Sequence, residues 1–350
     1  MCNRCALEGA RSVCVRRKRN AAIVSVGHRA RDVISVSAGA IARAEAARVL
    51  LDGRMDSVSA VLPDTIPAFE LPRVLVTGTD LTTADATVGA VAIRLAMMLE
   101  VAVMLVHVLD TGIGDEPAGA GPNEAAHRAL AARVRQRVEI ARETMEAERA
   151  RISAIDRDGH AVVRVTLADG RPWEMLVQLA RDIPRAWILV GGRPGPTLLG
   201  HTSDHVLRHG GAPVLVVPDG CADTLVGQVV VAVDGSQHST RALRAAGMVA
   251  QALRRPLEVL HVQSATDVDA PARIADQLRS TPADVATSRT LHLLVKQTSI
   301  AHAIAEHVRT TSTSMLIVGA GAGNGVVGRV LGSTAASLAH TSPVPVLFVR

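Results

Sequence analysis

The strongest constraint on this chain is that it repeats itself. Ala212-Pro213-Val214-Leu215-Val216-Val217 matches Val344-Pro345-Val346-Leu347-Phe348-Val349, and each proline lies 13 positions after a glycine, Gly200 or Gly332. Upstream, Trp187-Ile188-Leu189-Val190-Gly191 matches Met315-Leu316-Ile317-Val318-Gly319. Residues 101–108 match 257–262, and Val74–Asp80 matches Val229–Asp234. Four matches in one order mark a duplicated unit of about 120–145 residues, an ordinary domain size.

Each unit alternates short Val-rich runs with helical stretches. Continuous apolar runs are the signature of strands buried on both faces. Alternation with helices implies a parallel sheet covered on both sides. In the second unit the pattern predicts strands at 228–233, 257–262, 289–294, 315–319 and 344–349. Helices are expected at 239–253, 271–279, 299–309 and 332–341. The first unit follows suit, with a longer second helix near 124–152. The expected fold is α/β, with two tandem open five-stranded parallel sheets and helices on both faces. The divisions are 1–70 (an N-terminal extension, partly disordered), 71–217, a turn-rich linker at 218–227, and 228–350. A weak helix is expected at 38–51, and no order over residues 1–20.

Composition narrows the function. The chain has two Trp, two Phe and no Tyr, too few for base-stacking platforms. The net charge is +5, but residues 1–19 alone carry six basic side chains and one acidic. The body of the chain is therefore neutral, which argues against a nucleic-acid-binding fold. Lys18 and Lys296 are the only lysines and neither follows glycine, so a Walker A loop is excluded. Four cysteines, three of them near the start, suit a reducing cytoplasm better than a disulfide framework. Arg94 and Glu100 interrupt the most apolar stretch, so no membrane span is expected.

In such sheets ligands bind beyond the carboxyl ends of the strands. There the second unit carries Asp234-Gly235-Ser236 and a glycine-dense loop from Gly319 to Gly332-Ser333-Thr334, which opens a helix. Close backbone approach, free amides and the helix dipole suit a phosphate.

At these residues the sequence resembles the universal stress protein family, over about residues 71–350 as a tandem pair. The family's mark is a strand ending in Asp, then Gly-x2-Gly-x9-Gly-Ser/Thr after the fourth strand. Gly319, Ala322, Gly332 and Ser333 hold the second part, with Ala322 departing from glycine. The resemblance implies an adenine-nucleotide alpha-hydrolase-like fold, its five strands ordered 3-2-1-4-5, and an ATP site, with Mg as a possible companion ion. By resemblance, Asp234 and Val262 face adenine and ribose, and Gly319, Gly332, Ser333 and Thr334 face ribose and phosphates. Ala232, Val233, Ala322 and Gly323 lie beside them. It further implies that the two units associate through their last strands as a pseudo-dimer, with a further homodimer possible.

The first unit keeps Asp80, but its loop from Gly191 to Gly200 is four residues shorter. Pro194 and Pro196 have no N–H to donate, and His201 replaces the Ser333 equivalent. Nucleotide binding there is expected to be weak or absent.

Other clusters carry less. His201, His205 and His209 lie along one helix face, but no fourth ligand is visible for a metal. Cys2, Cys5 and Cys14 lack a second pair. Asp234, Ser236 and His238 form no recognisable catalytic motif, and Gly-x-Ser-x-Gly and His-Glu-x-x-His are absent. The expected function is an ATP-binding stress-response regulatory module. The alternatives are a nucleotide-free scaffold and an enzyme acting on a phosphorylated ligand.

Overall fold

The computed structural model describes residues 13–18, 21–26, 69–81, 86–109, 124–192, 200–221, 225–264, 269–279, 289–295, 298–321 and 331–350. Strands β1 (Val13–Lys18) and β2 (Ala21–Val26) form an antiparallel hairpin, so part of the segment expected to lack order is paired. The expected helix at 38–51 lies outside the described residues.

The first half runs β3 (Val74–Gly78), α1 (Ala86–Leu99), β4 (Ala102–Leu109), α2 (Glu124–Ser153), β5 (Val163–Asp169), α3 (Pro172–Asp182), β6 (Ala186–Gly192), α4 (His201–His209) and β7 (Val214–Pro218). The second runs β8 (Gln228–Val233), α5 (Gln237–Ala252), β9 (Leu257–Ser264), α6 (Ala270–Arg279), β10 (Arg289–Val295), α7 (Ile300–Thr310), β11 (Thr313–Gly319), α8 (Ser333–Thr341) and β12 (Val346–Val349).

All ten strands from β3 to β12 join one sheet, ordered β10-β9-β8-β11-β12-β7-β6-β3-β4-β5. Within each half every pair is parallel, as the alternating pattern predicts, and the order is 3-2-1-4-5, as the resemblance implies. The halves meet at one antiparallel seam, where Val346 pairs with Val216, Leu347 with Leu215 and Phe348 with Val214. All strands of one half thus run opposite to those of the other, and their carboxyl ends lie on opposite rims of the sheet.

The repeated prolines open the last strand of each half. Each lacks an N–H but offers its carbonyl to the neighbouring strand, Pro213 to Ile188 at 3.0 Å and Pro345 to Leu316 at 2.9 Å. Alternate residues supply two cores, one on each face. Val76, Ile188, Val230, Leu316 and Phe348 pack with α3, α4, α7 and α8. Leu75, Trp187, Val231, Ile317 and Leu347 pack with α1, α2 and α5. Both cores cross the seam, so the halves share their apolar layers. No helix among the described residues is long and apolar enough to cross a membrane.

Candidate functional site

Strand β8 ends in a turn built around its carboxylate. Asp234 accepts the Ser236 N–H at 2.9 Å, and Gly235 takes φ +80°, a conformation that favours glycine. Ser236 then caps α5, accepting the Ser239 N–H at 3.1 Å. Gln277, buried on α6, clamps the turn from outside. Its carbonyl accepts the Gly235 N–H at 3.1 Å, and its amide donates to the hydroxyls of Ser239 at 2.9 Å and Thr240 at 3.0 Å. His261 on β9 holds the residue before the carboxylate, its Nδ1 2.7 Å from the Val233 carbonyl. The first half repeats this contact, with His107 Nδ1 2.8 Å from the Thr79 carbonyl.

The Asp234 carboxylate opens to the cleft, although protein surrounds much of it. This partial loss of water pushes its pKa up, but hydrogen bonds from the Ser236 hydroxyl and N–H and the Ser239 hydroxyl outweigh it. The carboxyl is held below the usual carboxylate range. A depressed carboxyl contributes stability that is complete above the ordinary carboxylate value and lost as pH falls through the folded value. Asp234→Asn is therefore expected to lower the melting temperature more at neutral pH than at about pH 3. Equal losses at both values would show that the charge is not what the turn uses.

Strand β11 ends at Gly319, where a Cβ would come within 2.7 Å of the His238 backbone carbonyl carbon and oxygen. Glycine lets the first turn of α5 lie directly on the strand end. Beyond it, Gly321 and Leu331 form an isolated antiparallel bridge that closes the neck of the loop. Gly332 follows as the N-cap of α8, with φ −63° and ψ 149°, and no side chain caps that helix. Its first-turn N–H groups are left for solvent or a ligand, at the positive end of the helix dipole.

These elements enclose a cleft of about 270 Å3. Ala232, Val233, Asp234, Val262, Gly319, Gly332, Ser333 and Thr334 all line it. Ala322 and Gly323, the other two expected site residues, lie outside the described residues. Ile300 and Ile304 of α7 add an apolar wall, and His238 and Gly321 stand at its loop side. Gln277 and the isoleucines come from α6 and α7, remote in sequence from either motif. The repeated histidines were the one available signal for the β9 contact.

Asp234, Ser236 and His238 do not form a relay. The Ser236 hydroxyl caps α5, and His238 Nδ1 is buried without a hydrogen-bond partner. Burial and the nearby Arg241 lower the His238 pKa, with Asp234 opposing and Arg350 reinforcing them. The ring is neutral at pH 7.

A second cleft of about 350 Å3 occupies the matching place in the first half, lined by Asp80, His107, Gly191, Gly200, His201 and Thr202 among others. Gly200 caps α4 without a side-chain bond, as Gly332 caps α8. Residues 193–199 of its loop lie outside the described residues. On α4 the histidines stack along Trp173, with ring centroids 5.1 Å from it for His205 and for His209. No group of three or more metal-ligating side chains is gathered among the described residues. Cys221 is buried in the core, while the side chains of Cys2, Cys5 and Cys14 lie outside the described residues.

The sequence model of the universal stress protein family matches residues 72–218 and again 226–350. No curated protein matches the chain significantly. A universal stress protein from Archaeoglobus fulgidus DSM 4304 is similar in structure, at TM-score 0.56 and 19% identity, covering 79% of this chain and 98% of its own. A putative universal stress protein from Pseudomonas aeruginosa UCBPP-PA14 gives TM-score 0.50 and 15% identity, covering 79% of this chain and 93% of its own. These likenesses extend across both halves and concern the fold.

Proposed function

The chain belongs to the universal stress protein family, in a tandem two-domain form, and from this we propose that its second domain binds ATP as the regulatory input of a cytoplasmic stress-response module. One observation carries the reading. Eight residues expected at a nucleotide site converge on one cleft that ends at an uncapped helix start. Adenine and ribose would lie between the Asp234 turn, Val262 and the isoleucines of α7. The phosphates would meet the N–H groups of Ser333 and Thr334 and the two hydroxyls. Glycine at Gly319 and at Gly332 keeps that path clear of side chains. With no metal-ligating cluster among the described residues, a Mg ion would be held chiefly by the phosphates themselves.

Mass spectrometry of ligand released from gently purified protein tests this directly, and adenine nucleotide is expected. ATP added at one hundred times its Kd should stabilise the protein by about 2.7 kcal/mol and raise the melting temperature by several degrees. The absence of both released nucleotide and an ATP-induced thermal shift would favour a scaffold of the same fold acting through protein contacts, a reading that Ala322 supports.

The first domain is assigned a partner role. Its shorter loop, two prolines and His201 leave fewer phosphate donors. Calorimetry is expected to give one tight nucleotide per chain. Two equal tight sites would overturn this division of labour.

A further inference from the structure

We propose that His238 contacts the phosphate of the bound nucleotide, so that the second cleft selects phosphorylated nucleosides and holds them more tightly as the medium becomes acid. This rests on the nucleotide reading above.

His238 is the second residue of α5, in the turn of helix that lies on the end of β11. Two loop glycines make room for it. A Cβ on Gly319 would strike its backbone, and a Cβ on Gly321 would fall 2.1 Å from the ring atoms Cε1 and Nε2. The imidazole is therefore fixed at the neck of the glycine loop, lining the same cleft as Gly332, Ser333 and Thr334.

Its chemistry differs from that of the other histidine in this domain's turn. His261 commits Nδ1 to the Val233 carbonyl, a structural bond. His238 has no such bond: its Nδ1 is enclosed without a hydrogen-bond partner, and Nε2 is the ring nitrogen on the side of Gly321 and the cleft. A phosphate oxygen in the cleft would meet Nε2, giving the ring a hydrogen bond that it does not already spend on the protein.

The charges around the ring favour an anion. Asp234 faces it from the β8–α5 turn, Arg241 from its own helix, and Arg350 from the end of β12. Two cations outnumber one carboxylate, and the ring stays neutral when the cleft is empty. An arriving phosphate supplies the missing negative charge and draws a proton onto the imidazole, giving a charge-assisted hydrogen bond. The bound ring then titrates above the free one. The extra affinity is complete below the free-state value and is lost as pH rises through the bound-state value.

Calorimetry on the full chain tests this with ATP and with adenosine, at about pH 5.5 and about pH 8, either side of the ordinary imidazole value. Wild type is compared with His238→Gln and His238→Asn, so that failure of one variant to fold leaves the test standing. The terminal phosphate of ATP titrates in the same range, so the readout is the difference between wild type and variant. Acidification should tighten ATP about ten-fold more in wild type than in either variant, while adenosine binding stays independent of pH in all three. ATP bound by wild type and variants with the same pH profile would overturn the role of His238 alone. No ATP bound by wild type at either pH would overturn the nucleotide reading and this inference with it.

Discussion

Gly332→Asp is expected to abolish nucleotide binding while leaving the fold at least as stable as before. Gly332 is the N-cap of α8, and its φ of −63° and ψ of 149° suit an ordinary L residue. Aspartate is among the best N-cap residues, since its carboxylate accepts first-turn N–H groups. The substitution therefore supplies the cap that the native helix lacks. In doing so it occupies the donors that a phosphate would use and sets a negative charge where the phosphate would sit. The expected loss is at least about 100-fold in affinity, roughly 2.7 kcal/mol. The unliganded melting temperature should hold or rise slightly. Thermal melts with and without ATP separate the two effects. An ATP-induced shift that survives in G332D would remove α8 from the site.

Gly319→Val is expected to act in the opposite way, on the frame rather than on the charge. The valine Cβ would come within 2.7 Å of the His238 backbone, which belongs to the first turn of α5 and cannot swing aside as a side chain can. Strand end and helix would have to part, disturbing the packing of Ala242, Leu243 and Ala246 beneath. Overpacking of this kind costs about 3 kcal/mol or more. For a domain of this size that is a fall of about 6–12 °C in melting temperature. Gly211→Val is the control, because nothing lies within 4 Å of a Cβ there. If both variants melt with the wild type, the close approach at Gly319 is not a requirement of the fold.

Much of the architecture was legible because it follows from local pattern. Val-rich runs buried on both faces, prolines that open the last strands and glycines that open α4 and α8 are read from single segments. The seam could be anticipated from two apolar edge runs, since an exposed edge of that kind calls for cover. Its register could not, because three paired residues on each side leave little local signal. In the cleft, the carboxylate turn and the helix start were visible as short motifs. Gln277 was not, since it meets Gly235 across 42 positions and belongs to no pattern of its own. His238 was visible as a residue but not as a contact. Its placement depends on two glycines some eighty residues further along the chain. The β1–β2 hairpin was missed because its charged residues read as a solvated leader.

The antiparallel joint between β7 and β12 also fixes a stoichiometry. Separate single-domain chains meeting edge to edge would exchange partners by mass action, and dilution would part them. Here the two halves are tethered, and a short tether holds its partner at an effective concentration of order millimolar. Dilution cannot undo the pair. Every molecule also brings together one complete glycine loop and one shortened loop in a fixed ratio of one to one. Matched pairs of the same half are excluded from the joint, because the last strand of each half is already paired with the last strand of the other. Whatever reads this protein meets the same asymmetric object at every expression level, with its two clefts on opposite rims of one sheet.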